Sequence, residues 1–135
     1  MITESIIVVR YAETDQMGIV HHSHYPVWYE CARSDYVRQL GFGYGEMEAA
    51  GVFLPLVEMG SRFLAPACYD ERLTVRAKIG KLMLATIRFD YEVLRGEKLL
   101  NRGFTLHAFT DREMKPFSLK KRCPDYYRLL EASME

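Results

Sequence analysis

The sequence predicts an α+β fold in which one long helix packs against an antiparallel sheet of five strands. Three features of the chain support this prediction. A β-branched run opens the sequence, a single long segment with helical spacing follows it, and four strand-like segments occupy most of the remainder. Strands that follow one another along the chain commonly pair antiparallel, and the helix between them then covers one face of the sheet.

The first strand and the long helix come from the first third of the chain. The strand is predicted over Ile2–Tyr11, which contains a run of β-branched residues. The helix is predicted over Pro26–Leu40, because proline suits a first helical turn and Gly41 suits the position after the last turn. Its predicted apolar face consists of Trp28, Cys31, Ala32, Val37 and Leu40.

The other four strands follow a short helical piece over Glu46–Ala50. Alternating polarity or bounding glycines and prolines define them, and Gly96 provides a hairpin turn between the last two. Asp111–Lys121 is predicted as a polar loop and Pro124–Ala132 as a terminal helix. The four predicted strands are Phe53–Leu64, Arg72–Ile79, Met83–Leu94 and Lys98–Thr110.

The length and charge of the chain narrow the class of protein. Its 135 residues suit one domain over 1–135, and 49% of them are hydrophobic, which is enough for a core. The 18 Lys and Arg residues balance 18 Asp and Glu residues, so no general attraction to nucleic acid or to an anionic membrane is expected. No apolar stretch approaches the length of a membrane span. Since one helix covers one face of a sheet, the remaining face and edges predict a homo-oligomer.

The three cysteines, at positions 31, 68 and 123, include no CxxC pair and are too few for a disulfide framework. They indicate a reducing compartment. The first residues lack the basic region and the apolar length of a signal peptide. The expected location is therefore the cytoplasm.

The segment Tyr11–Arg33 carries the residues best suited to chemistry. Asp15 lies in the loop before the helix, Gly18 provides a turn, and His22 lies close to the helix N-terminus. Free backbone N–H groups at a helix N-terminus can stabilise an oxyanion, and a nearby carboxylate suits acyl transfer. On the spacing alone, a turn aspartate with surface histidines is the simpler interpretation.

The residues of this segment resemble a known signature. Asp15–His22 reads DQMGIVHH, and Tyr25, the triplet WYE at 28–30 and the pair AR at 32–33 follow it. This pattern is similar to that of hotdog-fold thioesterases of the 4-hydroxybenzoyl-CoA thioesterase family, including the Tol-Pal-associated acyl-CoA thioesterases. Ala67–Leu73 also resembles the family's turn between the second and third strands.

The resemblance implies a hotdog fold, in which the sheet wraps around the long helix, and the hydrolysis of an acyl-CoA without a metal or redox cofactor. It also implies a site between subunits, so that a dimer is the minimum and a tetramer is common. Asp15 matches the catalytic carboxylate, acting as nucleophile or as general base, and His22 would polarise the thioester carbonyl through its backbone N–H. Gln16 and Met17 stand where small residues are frequent, and His21 stands where an aromatic residue is frequent.

Further residues are candidates for contact with the acyl group or with CoA. Glu58 and Ser61 lie on the predicted second strand, which in this family borders the neighbouring subunit's site, although both also suit a solvated strand face. The CoA phosphates require cationic side chains. Arg62, Lys81 and Arg88 are candidates for this contact, and so is the basic tail at 120–122. The substrate-binding and CoA-binding candidates are Gly18, Val20, His21, Tyr25, Glu58, Ser61, Arg62 and Lys81.

Other functions and sites compete with this prediction. The first is a hydratase or dehydratase of acyl thioesters on the same fold, and the second is a non-catalytic acyl-CoA-binding protein. A metal site is not expected, because three histidines as close as His21, His22 and His24 do not converge easily on one ion. Cys31 falls on the predicted apolar helix face, where a buried structural cysteine is the ordinary case.

Overall fold

The computed structural model describes all residues of the chain, 1–135, and contains one five-stranded antiparallel sheet in the order β1-β3-β4-β5-β2. The α+β class and the antiparallel sheet around one long helix are therefore confirmed. No helix is long and apolar enough to cross a membrane. The elements are β1 (Thr3–Val8), α1 (Tyr25–Gln39), α2 (Tyr44–Ala49), β2 (Leu56–Phe63), β3 (Arg72–Leu82), β4 (Thr86–Arg95), β5 (Lys98–Ala108), α3 (Leu119–Arg122) and α4 (Pro124–Ser133).

The predicted elements are all present, with several boundary differences. β1 ends at Val8, and a 3-10 turn over Tyr11–Glu13 replaces the end of the predicted strand. β3 continues past Ile79, because the glycine and lysine that follow form a bulge inside the strand and not a break. The predicted loop at 111–121 contains the start of α3, capped by Ser118.

The buried face of α1 differs from the predicted one. Trp28, Ala32 and Val37 are buried as expected, but Cys31 is exposed, so the prediction of a buried cysteine was wrong. Aromatic residues complete the buried stripe instead. Their hydroxyl groups find partners, because the Tyr29 hydroxyl bonds to Ser61 and the Tyr36 hydroxyl bonds to Ser133. The buried residues of α1 are Tyr25, Trp28, Tyr29, Ala32, Tyr36 and Val37.

The core lies between α1 and the inner face of the sheet. α1 packs mainly over β1 and β3. On β5 the residues that face α1 are Asn101, Thr105 and His107, all of them polar and buried. The Tyr29 ring stacks on the Tyr91 ring of β4, with 4.5 Å between the ring centroids. This part of the core therefore combines aromatic rings with hydrogen-bonded polar groups.

β2 forms one edge of the sheet and is the least covered element. It pairs with β5 on one side and has no partner strand on the other. Leu56, Val57 and Phe63 on this strand are each more than half exposed. An open strand edge with apolar side chains is an unusual surface for a chain that stays alone in water.

Candidate active site

Asp15 occupies the first position of a tight turn. Its backbone N–H donates to Ile19 O at 2.9 Å, and its own carbonyl accepts from the Gly18 N–H at 2.9 Å. The carboxylate oxygen Oδ1 accepts from the Met17 N–H, also at 2.9 Å. Gly18 has φ +80°, which confirms its predicted role as the turn residue. The turn thus orients a half-buried carboxylate and uses only one of its two oxygens.

Glu13 anchors this loop to α1. The side chain is 3% exposed, and its two oxygens accept from the Arg10 N–H at 2.8 Å and from the Trp28 indole N–H at 3.0 Å. Burial acts to raise the pKa of Glu13, but these hydrogen bonds and the Arg10 side chain outweigh it and lower the pKa. The Glu13 carbonyl also accepts from the His21 N–H at 2.9 Å. Glu13 had no predicted role, although it holds the two ends of the loop together.

The histidines form a 3-10 turn that leads into α1. His21 precedes this turn, and its Nδ1 accepts from the Ser23 N–H at 3.2 Å and lies 2.8 Å from the Ser23 hydroxyl. A neutral His21 ring therefore carries its proton on Nε2. The His24 N–H donates to His21 O at 3.1 Å, whereas the exposed His22 leaves its N–H without an acceptor in the loop. The role predicted for this N–H stays a prediction.

Two buried residues join the loop to the rest of the fold. The Val20 N–H donates to Ala67 O at 2.8 Å, and the Val20 side chain is 5% exposed. The Tyr25 ring packs edge-on against Phe63 of β2, with centroids 5.0 Å apart. Burial, followed by the nearby Cys68 and Glu71, raises the pKa of the Tyr25 hydroxyl. The Asp15 loop, the N-terminus of α1 and the end of β2 therefore meet at one end of the sheet.

The candidates on the strands do not all reach this end. Ser61 faces α1, and its hydroxyl lies 2.8 Å from both the Tyr29 hydroxyl and the Asn101 side-chain amide. Glu58 and Arg62 lie on the outer face, since they pair in register with Leu106 and Arg102. Their predicted substrate contacts stay predictions.

Lys81 lies at the other end of β3, opposite Arg88. The two ends of this 11-residue strand are about 30 Å apart. The Arg88 guanidinium pairs with Asp90 at 2.8 Å. Within one chain, neither cation is near Asp15, so their contact with CoA also stays a prediction.

A buried polar chain beneath α1 was not predicted from the sequence. The Arg33 guanidinium donates to the Tyr91 hydroxyl at 3.1 Å, and the Tyr91 hydroxyl lies 2.6 Å from that of Thr105. Thr105 in turn lies 2.9 Å from His107 Nε2, while Nδ1 lies 3.1 Å from Leu54 O. Burial, together with the Arg33 charge, lowers the pKa of His107 to about 4. The sequence signal that could have predicted this polar chain is the row of polar residues at alternate positions of β5.

Metal and thiol chemistry have no arranged site in this chain. No group of three or more His, Cys, Asp or Glu side chains is placed to hold a metal ion. All three cysteines are free. Although Cys31 is exposed, partial desolvation and the carboxylates of Asp35 and Glu30 raise the pKa of its thiol, which disfavours the nucleophilic thiolate form.

Comparison with known proteins assigns this architecture to a family. Residues 9–125 match the model of the thioesterase-like superfamily. The chain is 34% identical over 132 residues to the "Putative acyl-CoA thioesterase YneP" of Bacillus subtilis (strain 168), covering 96% of each chain. It superposes with a TM-score of 0.90 on the hypothetical protein TT1821 from Thermus thermophilus, at 41% identity and 98% coverage of both chains. The TM-score is 0.91 for the DHNA-CoA thioesterase from Staphylococcus aureus, at 29% identity and with 97% and 89% coverage.

These matches extend over nearly the whole chain and confirm the family resemblance of the Asp15–His22 signature. They also agree with the sheet order and with the single long helix. The chain belongs to the thioesterase-like superfamily, as an enzyme of the thioester hydrolase class with the hotdog fold.

Proposed function

We propose that this protein hydrolyses the thioester of an acyl-CoA at the Asp15 loop. The observation that carries the proposal is that one loop contains two groups without hydrogen-bond partners, one an acceptor and the other a donor. Asp15 keeps one carboxylate oxygen without a partner in the chain, and the His22 N–H has no acceptor in the loop. The Thr14–Val20 bridge holds both groups in a single short hairpin and turn. Acyl transfer requires such a combination of a base or nucleophile and an oxyanion donor.

In the proposed reaction, the thioester carbonyl oxygen accepts a hydrogen bond from the His22 N–H at the positive end of α1. By one route, Asp15 takes a proton from water, the water oxygen attacks the carbonyl carbon, and the carbon–sulfur bond breaks. By the other, the carboxylate attacks directly and water then cleaves the mixed anhydride. Both routes consume one water and release the free acid and the CoA thiol.

The acyl group is proposed to lie against the apolar corner where α1 meets β2. Tyr25 and Phe63 form its wall, and Val20 supports it from the core. His21 presents its Nε2–H as a donor, because Nδ1 is engaged by Ser23. Ser61 lies on the same face of β2 and completes the polar part of the pocket. The names of YneP and of the S. aureus enzyme support CoA as the thiol carrier.

The active form is proposed to be a homo-oligomer of at least two chains, with a tetramer as the larger assembly. The open edge of β2, which lies beside the Asp15 loop, supports a site shared between subunits. The three free cysteines support a location in the cytoplasm.

A thiol-release assay with a panel of acyl-CoAs tests this function. The panel includes short and long aliphatic chains, an aromatic acyl group and an enoyl-CoA. Release of CoA thiol from at least one saturated or aromatic thioester is the expected result, with the free acid formed in equal amount. Hydration of the enoyl-CoA without thiol release would contradict the proposal and favour a hydratase. Binding of every acyl-CoA without turnover would leave only a binding protein.

A further inference from the structure

An apolar turn lies at the end of the sheet opposite to the Asp15 loop. Residues 83–85 connect β3 to β4, and the Met83 N–H donates to Thr86 O at 2.9 Å to close the turn. The length of β3 separates this turn from the Asp15 end by about 30 Å. The side chains of Met83 and Leu84 are 51% and 50% exposed. Two adjacent apolar side chains therefore keep half of their surface in water at the tip of the hairpin.

Four cationic side chains accompany this tip. Lys81, near the end of β3, precedes Met83 by two residues. The Leu119 N–H donates to Leu84 O at 2.8 Å, and this bond fixes the start of α3 to the turn. The other three residues of α3 are all basic, and all four cations are exposed. The tip thus combines an apolar pair with a local excess of positive charge, which comprises Lys81, Lys120, Lys121 and Arg122.

The charges of these cations are not neutralised within the chain. None of the four forms an ion pair with a carboxylate. Asp125, the acidic residue that follows α3, pairs with Arg128 instead. The Arg122 guanidinium lies 4.0 Å from the centroid of the Phe117 ring, a contact that leaves its charge intact. Although the whole chain has a net charge of 0, this end of the sheet is therefore locally basic.

The arrangement of the cations decides which kind of anion fits them. Successive residues of a helix point about 100° apart, so the three cations of α3 do not converge on one phosphate group. Because they lie within about a Debye length of one another, an extended anionic surface attracts all of them together. Small phosphorylated ligands and nucleic acids would engage the cations and leave the apolar pair in water. A bilayer with anionic headgroups accepts both parts, since its interface also takes up apolar side chains.

We propose that the β3–β4 turn and α3 dock this protein on an anionic lipid surface, with Met83 and Leu84 inserted at the boundary between headgroups and acyl chains. The four cations then face the headgroups. This gives Lys81 and the basic tail a role in place of contact with the CoA phosphates. The Asp15 loop lies at the far end of the sheet and stays open to water. The inference is therefore independent of the proposed function.

Sedimentation with lipid vesicles tests this docking. Vesicles of phosphatidylcholine and phosphatidylglycerol in equal parts should carry the protein into the pellet, whereas phosphatidylcholine alone should bind it at least about tenfold more weakly. Added salt should weaken the binding, because it screens the charges. Lys121→Glu should lower the affinity for the mixed vesicles by about tenfold or more. Leu84→Ser should lower it by about fivefold without any change of charge.

Each variant has a matched control elsewhere on the surface. Lys98→Glu makes the same change of charge at the turn between β4 and β5, at the opposite end of the sheet. Ile6→Ser removes a side chain that is 48% exposed on β1. Both controls should bind the mixed vesicles like the wild type. Thermal unfolding verifies that every variant is folded, and Leu84→Ser should release CoA thiol from a short-chain acyl-CoA at the wild-type rate.

Several outcomes would overturn the inference. One is a wild-type protein that stays in the supernatant with both kinds of vesicle. Another is a Leu84→Ser variant that binds like the wild type, since the cations alone would then explain the attraction. Equal losses from Lys121→Glu and Lys98→Glu would show that net charge acts and not the tip. Release of bound protein by free CoA would assign the cations to the substrate's phosphates. Vesicle binding without thiol release would leave the docking intact and remove only the proposed function.

Discussion

The Asp15 turn is compatible with both roles that looked like alternatives in the sequence, a turn aspartate and the proposed catalytic carboxylate. Asp15 is a turn aspartate, since Oδ1 accepts from the Met17 N–H and the Asp15 carbonyl accepts from the Gly18 N–H. The same turn leaves Oδ2 without a partner in the chain, next to the entry of α1. A residue with a fixed backbone and one bound oxygen has little rotational freedom left, which favours a preorganised catalytic group.

His107 should make the fold sensitive to mild acid. Its pKa is lowered to about 4 by burial and by Arg33, so the unfolded chain takes up its proton first as the pH falls below about 6.5. Between pH 6.5 and 4.5 this lowers the free energy of unfolding by up to about 2–3 kcal/mol. Urea unfolding at several pH values measures the loss. His107→Gln removes the titration, and a variant with the same pH slope as the wild type would contradict the assignment.

The loop and α1 act as one unit because Glu13 joins them. Its carboxylate takes hydrogen bonds from the Arg10 N–H and the Trp28 indole, and its carbonyl takes one from the His21 N–H. Removing this carboxylate leaves the buried Trp28 indole N–H and the part-buried Arg10 N–H without acceptors. The positions of Asp15 and His22 relative to α1 therefore depend on a residue outside the family signature noted in the sequence.

Glu13→Ala should lower the free energy of unfolding by about 2–4 kcal/mol near pH 7. Since the folded pKa is depressed, the carboxylate stabilises above its unfolded pKa of about 4.5, and this contribution is lost as the pH falls through the folded value. Chemical denaturation at pH 7 and at pH 4 checks both statements. Arg10→Ala is the control, because the Arg10 side chain is exposed and its ion pair with Glu13 contributes less than about 1 kcal/mol. Equal losses from both variants would show that the buried hydrogen bonds are unimportant.

The strands and the helix were predictable because their signals are local. Proline and glycine bound α1, and alternation or glycine turns mark the strands. The buried face of α1 was only partly predictable. Tyr29 and Tyr36 are buried in place of Cys31 because their hydroxyl groups form hydrogen bonds with side chains of distant elements, Ser61 and Ser133. A single-sequence pattern contains no record of such long-range partners.

At the scale of the whole molecule, the sheet of a single chain has open edges. β1 and β2 are its edges, and β2 presents apolar side chains beside the Asp15 loop. The signature singled out Asp15 and His22 as candidates, and their roles stay predictions, whereas the contacts of Glu13 needed the folded structure.

The central claim is that Asp15 carries the hydrolysis. It is tested most directly by the steady-state rate of CoA thiol release from Asp15→Asn and the wild type with the best substrate of the panel. The asparagine oxygen can still accept from the Met17 N–H, so the variant should fold normally, and Asp125→Asn on the surface of α4 is the matched control. We expect kcat to fall by about a hundredfold or more in Asp15→Asn and to stay unchanged in the control. A folded Asp15→Asn enzyme with wild-type kcat would contradict the account.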